Sequence, residues 1–309
     1  MQVAIGGWGN TDGFSEAVKT NESRRLFAGN IKAMIDATGA DGGNGEDYKH
    51  IPNSEKGWEI DAYPELLAEI RAAIGPSKLL TAAVPGLKRD MLAFTEANLP
   101  KIYESVDFLN VMTYDLVNRR DTITNHHSGL DNSIEAIHSY LDSEEGGHPQ
   151  DLNIGLGFYV RWYKIAADDP CDYAPRCRTD LMEDPVTGAD LRKAGAFSWH
   201  DEVPPELADS FARALRLGED DVSEGLLRGH FYVDNQEHFF WSWDTPHTIV
   251  SKLEEIFDSF LAGSRDERQD IGGVFAWGLG EDAPHFEHLQ AVNKLLGKWD
   301  AGSSEHQEL

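Results

Sequence analysis

Along this chain, short apolar runs alternate with longer stretches in which apolar residues recur every three or four positions. That alternation predicts strands separated by amphipathic helices. Val3, Ala4 and Ile5 open a strand that ends in Gly6, Gly7 and Trp8, and Leu26, Phe27, Ile31, Met34 and Ile35 then mark a helix over 23–38. A strand should follow Gly39, yet residues 43–48 are turn-forming and polar, so it is largely absent. Ile60, Tyr63, Leu66, Leu67 and Ile70 share one face of a helix over 58–74, with Pro64 in an early turn or at a kink. Next come a strand over 79–84, a helix over 91–103, a strand over 106–115, a helix over 133–141 and a strand over 152–159. From 160 to 244 the rhythm gives way to Gly, Pro and charged turns around aromatic runs at 195–199 and 230–233, as expected of a small insertion with antiparallel sheet. A helix over 246–261, a strand over 271–277 and a helix over 286–296 close the pattern, and 300–309 reads as a frayed tail.

Strand followed by helix, repeated, is the signature of an α/β fold with parallel strands. Strands near Val3, Gly39, Leu79, Val106, Leu152 and Ile271 give six such units, whereas a closed (β/α)8 TIM barrel needs eight. The expectation is therefore an incomplete barrel, with its first two units absent, its fourth strand damaged and a small α+β insertion before its last strand. On this reading 1–159 is partial barrel, 160–245 the insertion, 246–299 the closing helix, strand and helix, and 300–309 the tail. An open doubly wound sheet is the structural alternative, but no Gly-rich phosphate loop opens a helix.

Composition narrows the partners. The 27 Lys and Arg residues face 54 Asp and Glu, a net charge of −27 that repels nucleic-acid phosphates and anionic lipid surfaces. A neutral polymer such as a polysaccharide is compatible with it. The two cysteines, Cys171 and Cys177, flank a short segment with Pro175 favouring a turn, so a disulfide is preferred over two free thiols. A disulfide implies an oxidising, extracellular setting and hence a secreted protein. No signal peptide or membrane-spanning run is visible at the start, which reads like the inside of a domain with sequence missing upstream. No cofactor motif or metal-ligand spacing is present, and a monomer is expected.

The strand over 106–115 carries Asn110, Met112 and Tyr114 on one side and delivers Asp115 to its carboxyl end, where active sites of parallel barrels are built. Trp277 ends the final strand before Gly278, and its flat apolar face suits a sugar ring. Trp241 and Trp243 share a face of another strand; cleft extension and packing of the insertion are both open for them. His126, His127 and His230 show no ligand spacing and receive no role.

The opening Val3 to Trp8 run, Asp41 and Gly42, the Met112, Thr113, Tyr114 and Asp115 motif and the strand ending in Trp277 together resemble, in order, landmark strands of chitinases of glycoside hydrolase family 18, most closely the secreted fungal members. The resemblance covers nearly the whole chain. It implies hydrolysis of β-1,4-linked N-acetylglucosamine polymers with retention, in which a Glu protonates the leaving oxygen and the substrate's own acetamide attacks the anomeric carbon. By resemblance, Tyr114 and Asp115 hold the acetamide, Met112 and Trp8 line the pocket, Trp277 floors the subsite of cleavage, no cofactor is needed, and chitin or chito-oligosaccharides are the partners. The family's D-x-x-D-x-D-x-E signature, however, begins at Asp41 and then breaks. The same spacing gives Asn44, Glu46 and Tyr48, so no carboxylic acid stands at the catalytic position. Glu46 and Asp47 lie in a glycine-rich stretch unsuited to holding a general acid. Ala4 stands where family members often carry Ser. The chain is thus expected to be an inactive or nearly inactive member of a hydrolase family. A chitin-binding, lectin-like relative and an endoglycosidase of N-glycans are the alternatives.

Overall fold

In β1 (Thr81–Pro85) and β2 (Phe108–Met112), every second side chain is buried and the others are half-buried, the two-residue period of a sheet with one face against a packed layer. The computed structural model describes residues 4–5, 13–38, 57–141, 147–260 and 271–305. Its elements in chain order are α1 (Phe14–Val18), α2 (Asn21–Thr38), α3 (Glu59–Ile74), β1, α4 (Leu99–Tyr103), β2, α5 (Leu130–Leu141), β3 (Leu152–Gly157), β4 (Tyr159–Lys164), β5 (Ala194–Ser198), α6 (Pro205–Leu217), β6 (Glu219–Asp221), β7 (Gly229–Asp234), β8 (Phe239–Trp243), α7 (Pro246–Phe260), β9 (Gly273–Trp277) and α8 (Glu287–Glu305). The fold class is the α/β one expected, with a parallel sheet of order β1-β2-β3-β9 among the described residues.

Chain contacts divide the protein into two units. The first holds Met1–Met112, Ala136–Ile154 and Gln269–Gly273. In it Thr81 to Pro85 pair in parallel with Phe108 to Met112, and Leu109 to Val111 with Leu152 to Ile154. Ala82, Val84, Leu109, Val111, Leu152 and Ile154 form its buried face. Asn110 and Asn153 meet on the other face, where the Asn153 amide donates to the Asn110 carbonyl at 3.0 Å. Arg71 of α3 ties the strand starts together: its guanidinium donates to the Ser105 and Lys78 carbonyls and pairs with Asp107, whose carboxylate also accepts the Leu80 N–H.

The second unit holds Thr113–Glu135, Gly155–Arg268 and Val274–Leu309. It contains a five-stranded antiparallel sheet of order β5-β4-β8-β7-β6. Leu207, Phe211 and Ala214 of α6 pack on Phe197, Trp241 and Trp243 of the sheet. Both tryptophans are buried, and Trp241 donates its indole N–H to Ser210 at 3.0 Å, so they are core and do not extend a cleft. Cys171 and Cys177 form the expected disulfide, packed with Tyr163, Ile165, Met182 and Phe240.

Several predicted elements change length. The helix predicted over 91–103 shrinks to α4, because Pro100 has no N–H to donate and fits only the first turn. The strand predicted over 152–159 ends at Gly157, and Tyr159 instead begins β4 of the antiparallel sheet. The last helix runs to Glu305, well into the predicted tail. Its start is fixed by the buried Asp282 carboxylate, which accepts the backbone N–H groups of His288 and Leu289.

Candidate active site

The residue after Tyr114 leaves the extended path. Asp115 has φ 54°, a left-handed conformation that Asp tolerates better than bulkier residues and that turns its carboxylate away from the strand direction. Tyr159 donates its hydroxyl to Asp115 Oδ1 at 2.8 Å, and Arg161 Nη1 lies 3.4 Å from the same oxygen. Tyr159, Arg161 and Tyr163 alternate along one face of β4, so a single strand brings a phenol and a guanidinium to one carboxylate. Tyr163 in turn lies 3.4 Å from Arg161 Nε and donates its hydroxyl to the Val117 carbonyl at 2.9 Å, which fixes the arginine. Burial, reinforced by the nearby Asp115 charge, pushes the Tyr159 phenol well above its usual range, so it remains a donor at any ordinary pH.

His127 completes the cluster from the loop after β2. Its ring is fully buried; Nδ1 faces the Asp115 backbone N–H at 3.5 Å and lies 3.8 Å from Oδ1. An acceptor Nδ1 places the proton on Nε2, which has no protein partner among the described residues. Burial lowers the imidazole pKa to about 4 against the pull of Asp115, so the ring is neutral above that pH.

Tyr114 is buried, with its ring edge-on to Tyr159 at 6.3 Å and to Phe275 of β9 at 6.1 Å. β9 continues to Trp277, whose carbonyl accepts the N–H of Phe158, the residue before Tyr159. This bond sets Trp277 beside the start of β4, and the residue is 51% exposed. The Cys171–Cys177 disulfide closes a short loop and packs with Tyr163 and Val117, behind the residue that fixes Arg161. Met112 ends β2 and is half-buried. Trp8, Asp41, Asn44, Glu46, Asp47 and Tyr48 lie outside the described residues.

Tyr159 and Arg161 are not among the residues the sequence singles out for the site, and His127 is there without a role. The first two carried a legible signal, a Tyr and an Arg two residues apart on a strand beginning where a parallel strand ends. His127 carried none, since only the path of the loop from Asp115 returns it to that residue. His126 and His230 pair with Asp221 and Asp220, and the hydrogen bond from His126 is the main cause holding the Asp221 carboxyl down to about 2.

Gly157 lies against the cluster. A Cβ there would stand 3.1 Å from Tyr159 Cε1, 3.2 Å from His127 Cε1 and 3.2 Å from Tyr114 Cβ. Gly157→Ala is therefore expected to displace all three and destabilise the fold by roughly 1–3 kcal/mol, as overpacking does, read as a lowered denaturant midpoint at unchanged slope. No group of His, Cys, Asp and Glu among the described residues is arranged to hold a metal ion.

A carboxylate, a guanidinium and a phenol thus meet just past the end of a parallel strand of an α/β protein, the end at which such folds carry their polar sites. The sequence matches the family model for Glycosyl hydrolases family 18 over residues 1–282, and the chain belongs to that family. It is 27% identical over 312 aligned positions to Chitinase 63 of Streptomyces plicatus, covering 95% of this chain and 45% of that protein. The chain thus spans less than half the length of that relative. The fold is similar to catalytic domain 2 of the Group II chitinase of Ostrinia furnacalis, with TM-score 0.70 at 19% identity over 96% of this chain and 78% of that one. It is also similar to a plant class V chitinase mutant of Cycas revoluta in complex with (GlcNAc)3, with TM-score 0.65 at 18% identity over 95% and 79% of the two chains. These likenesses show the (β/α)8 barrel fold class of the family, to which the described parallel strands belong.

Proposed function

We propose that this protein binds chito-oligosaccharides through Trp277 and the Asp115 cluster and hydrolyses their β-1,4 links slowly or not at all. The observation that carries this reading is the open face of Trp277 held by backbone hydrogen bonding next to the strand that presents Tyr159 and Arg161 to Asp115. A sugar ring stacked on the indole leaves its polar substituents for hydrogen-bonding groups at the ring edge. In this reading Tyr114 and Asp115 hold the acetamide, and Tyr159 and Arg161 hold the Asp115 carboxylate in place. The family acid has no counterpart at the matching spacing from Asp41, which is why little or no turnover is proposed. The Cycas chitinase mutant complex with (GlcNAc)3 supports the ligand class. The disulfide supports secretion. No helix among the described residues is long and apolar enough to cross a membrane.

The test pairs a binding measurement with a hydrolysis assay. Chitopentaose is expected to bind the full chain, with Trp277→Ala weakening the affinity at least about tenfold, or roughly 1.4 kcal/mol. Incubation with the same oligosaccharide is expected to release no new reducing ends above the blank. Turnover comparable to an active chitinase overturns the inactive reading, and absence of binding overturns the site.

A further inference from the structure

The turn that follows Trp277 holds a second polar group that neither the family match nor the Asp115 cluster accounts for. Glu281 closes this turn, its backbone N–H donating to the Gly278 carbonyl at 2.9 Å, while its own carbonyl accepts the Trp199 N–H at 3.3 Å. The side chain folds back over the turn: a Cβ built at Gly278 would lie 3.8 Å from Glu281 Oε1. The carboxyl therefore stands over the residue next to the exposed indole. No cation and no protein hydrogen-bond donor among the described residues meets it, although it is only half-exposed. The charged neighbours that act on it are carboxylates. They are Asp201 of the loop after β5, held in its turn by the Ser198 N–H at 2.7 Å, and Asp115 of the loop after β2.

We propose that Glu281 is a second saccharide-contacting residue on this face, its carboxyl hydrogen-bonding a hydroxyl or the amide N–H of the sugar ring stacked on Trp277. The inference rests on the proposed chito-oligosaccharide reading of the site and adds to it a polar anchor carried on the same turn as the platform. Partial burial of a carboxylate without a partner costs free energy, and a structural role would have supplied a donor. None is supplied among the described residues, and the neighbouring acids make the site less favourable still for an isolated anion. Burial first, and then Asp201 and Asp115, raise the carboxyl's pKa above its usual range. A ligand hydroxyl or amide N–H provides the missing donor to the ionised form. The protonated form offers the ligand an O–H in return, so the contact survives titration.

The experiment is titration calorimetry of chitopentaose against the full chain, Glu281→Ala, Glu281→Gln and Trp277→Ala, with the melting temperature of each. Glu281→Ala is expected to weaken binding about tenfold or more at an unchanged melting temperature, as loss of one hydrogen bond to a charged group does. Glu281→Gln, which keeps an acceptor and a donor in place, is expected to stay within about threefold of the parent. If Glu281→Ala binds within about twofold of the parent while Trp277→Ala is weakened, the inference falls and the reading of the site stands. If Ala and Gln variants lose affinity equally and both melt lower, Glu281 is a structural residue of the turn and the inference again falls. A parent chain that does not bind chitopentaose overturns the reading and the inference together.

Discussion

Lys252→Met lowers the free energy of unfolding by roughly 3–5 kcal/mol, the cost of leaving a buried charge without its partner. Lys252 of α7 and Asp244, just after β8, are each 2% exposed and meet at 2.6 Å. The ammonium also donates to the Ser128 carbonyl at 2.8 Å, and the carboxylate accepts from the hydroxyls of Ser128 at 2.8 Å and Thr248 at 3.1 Å. Burial pushes the Asp244 carboxyl up, but the Lys252 charge and these hydrogen bonds outweigh it and hold the pKa below the usual range. Methionine preserves most of the lysine stem and removes only the charge and its donors, so the loss reports on the ion pair more than on a cavity. The double replacement Lys252→Met with Asp244→Leu removes both charges and is expected to recover most of the stability. Chemical denaturation of the parent, the single variant and the double variant checks this. A single variant within about 1 kcal/mol of the parent contradicts the account.

The second large effect is on the pH dependence of stability. His127 has a folded-state pKa of about 4 against 6.5 for the exposed group. Burial is the main cause, with Arg161 and Lys252 pushing the same way and Asp115 and Asp244 opposing. Because the folded value lies below the unfolded one, the unfolded chain takes up this proton first as the pH falls. Stability from the neutral imidazole is therefore fully present above about pH 6.5, declines between pH 6.5 and 4, and is lost below, about 3 kcal/mol in all. The same proton would occupy Nδ1, the atom that accepts the Asp115 N–H, so the turn presenting the carboxylate loosens over the same window. In His127→Gln the stability difference from the parent should shrink by about 3 kcal/mol between pH 7 and pH 4, read from denaturation at each pH. Stability curves that run parallel across this window contradict it.

Periodic elements were legible in the chain and irregular ones were not. The helices over 21–38, 59–74 and 246–260 stand where apolar residues recur at helical spacing, because a buried stripe needs that spacing whatever it packs against. The stretch over 91–103 becomes helical only from Leu99, where Pro100 stands in the first turn and has no N–H to satisfy. The candidate site divides in the same way. Tyr114, Asp115 and Trp277 are marked by their place at strand ends, whereas the Tyr159 and Arg161 pair gains its meaning only from the change of sheet after Gly157. Trp241 and Trp243 share a strand face in either reading, and only the packing of α6 on that face settles that they are core.

The sequence by itself determined the α/β alternation and the acidic balance of the chain, and made a disulfide the preferred state of its two cysteines, since each follows from residue type and spacing alone. The tertiary structure decided what surrounds Asp115. A phenol and a guanidinium 44 and 46 residues on and an imidazole 12 residues on converge on one carboxylate only once β4 and the loop after β2 are folded. Hydrogen bonding and burial act through space, and a pattern along the chain records only neighbours that share an element.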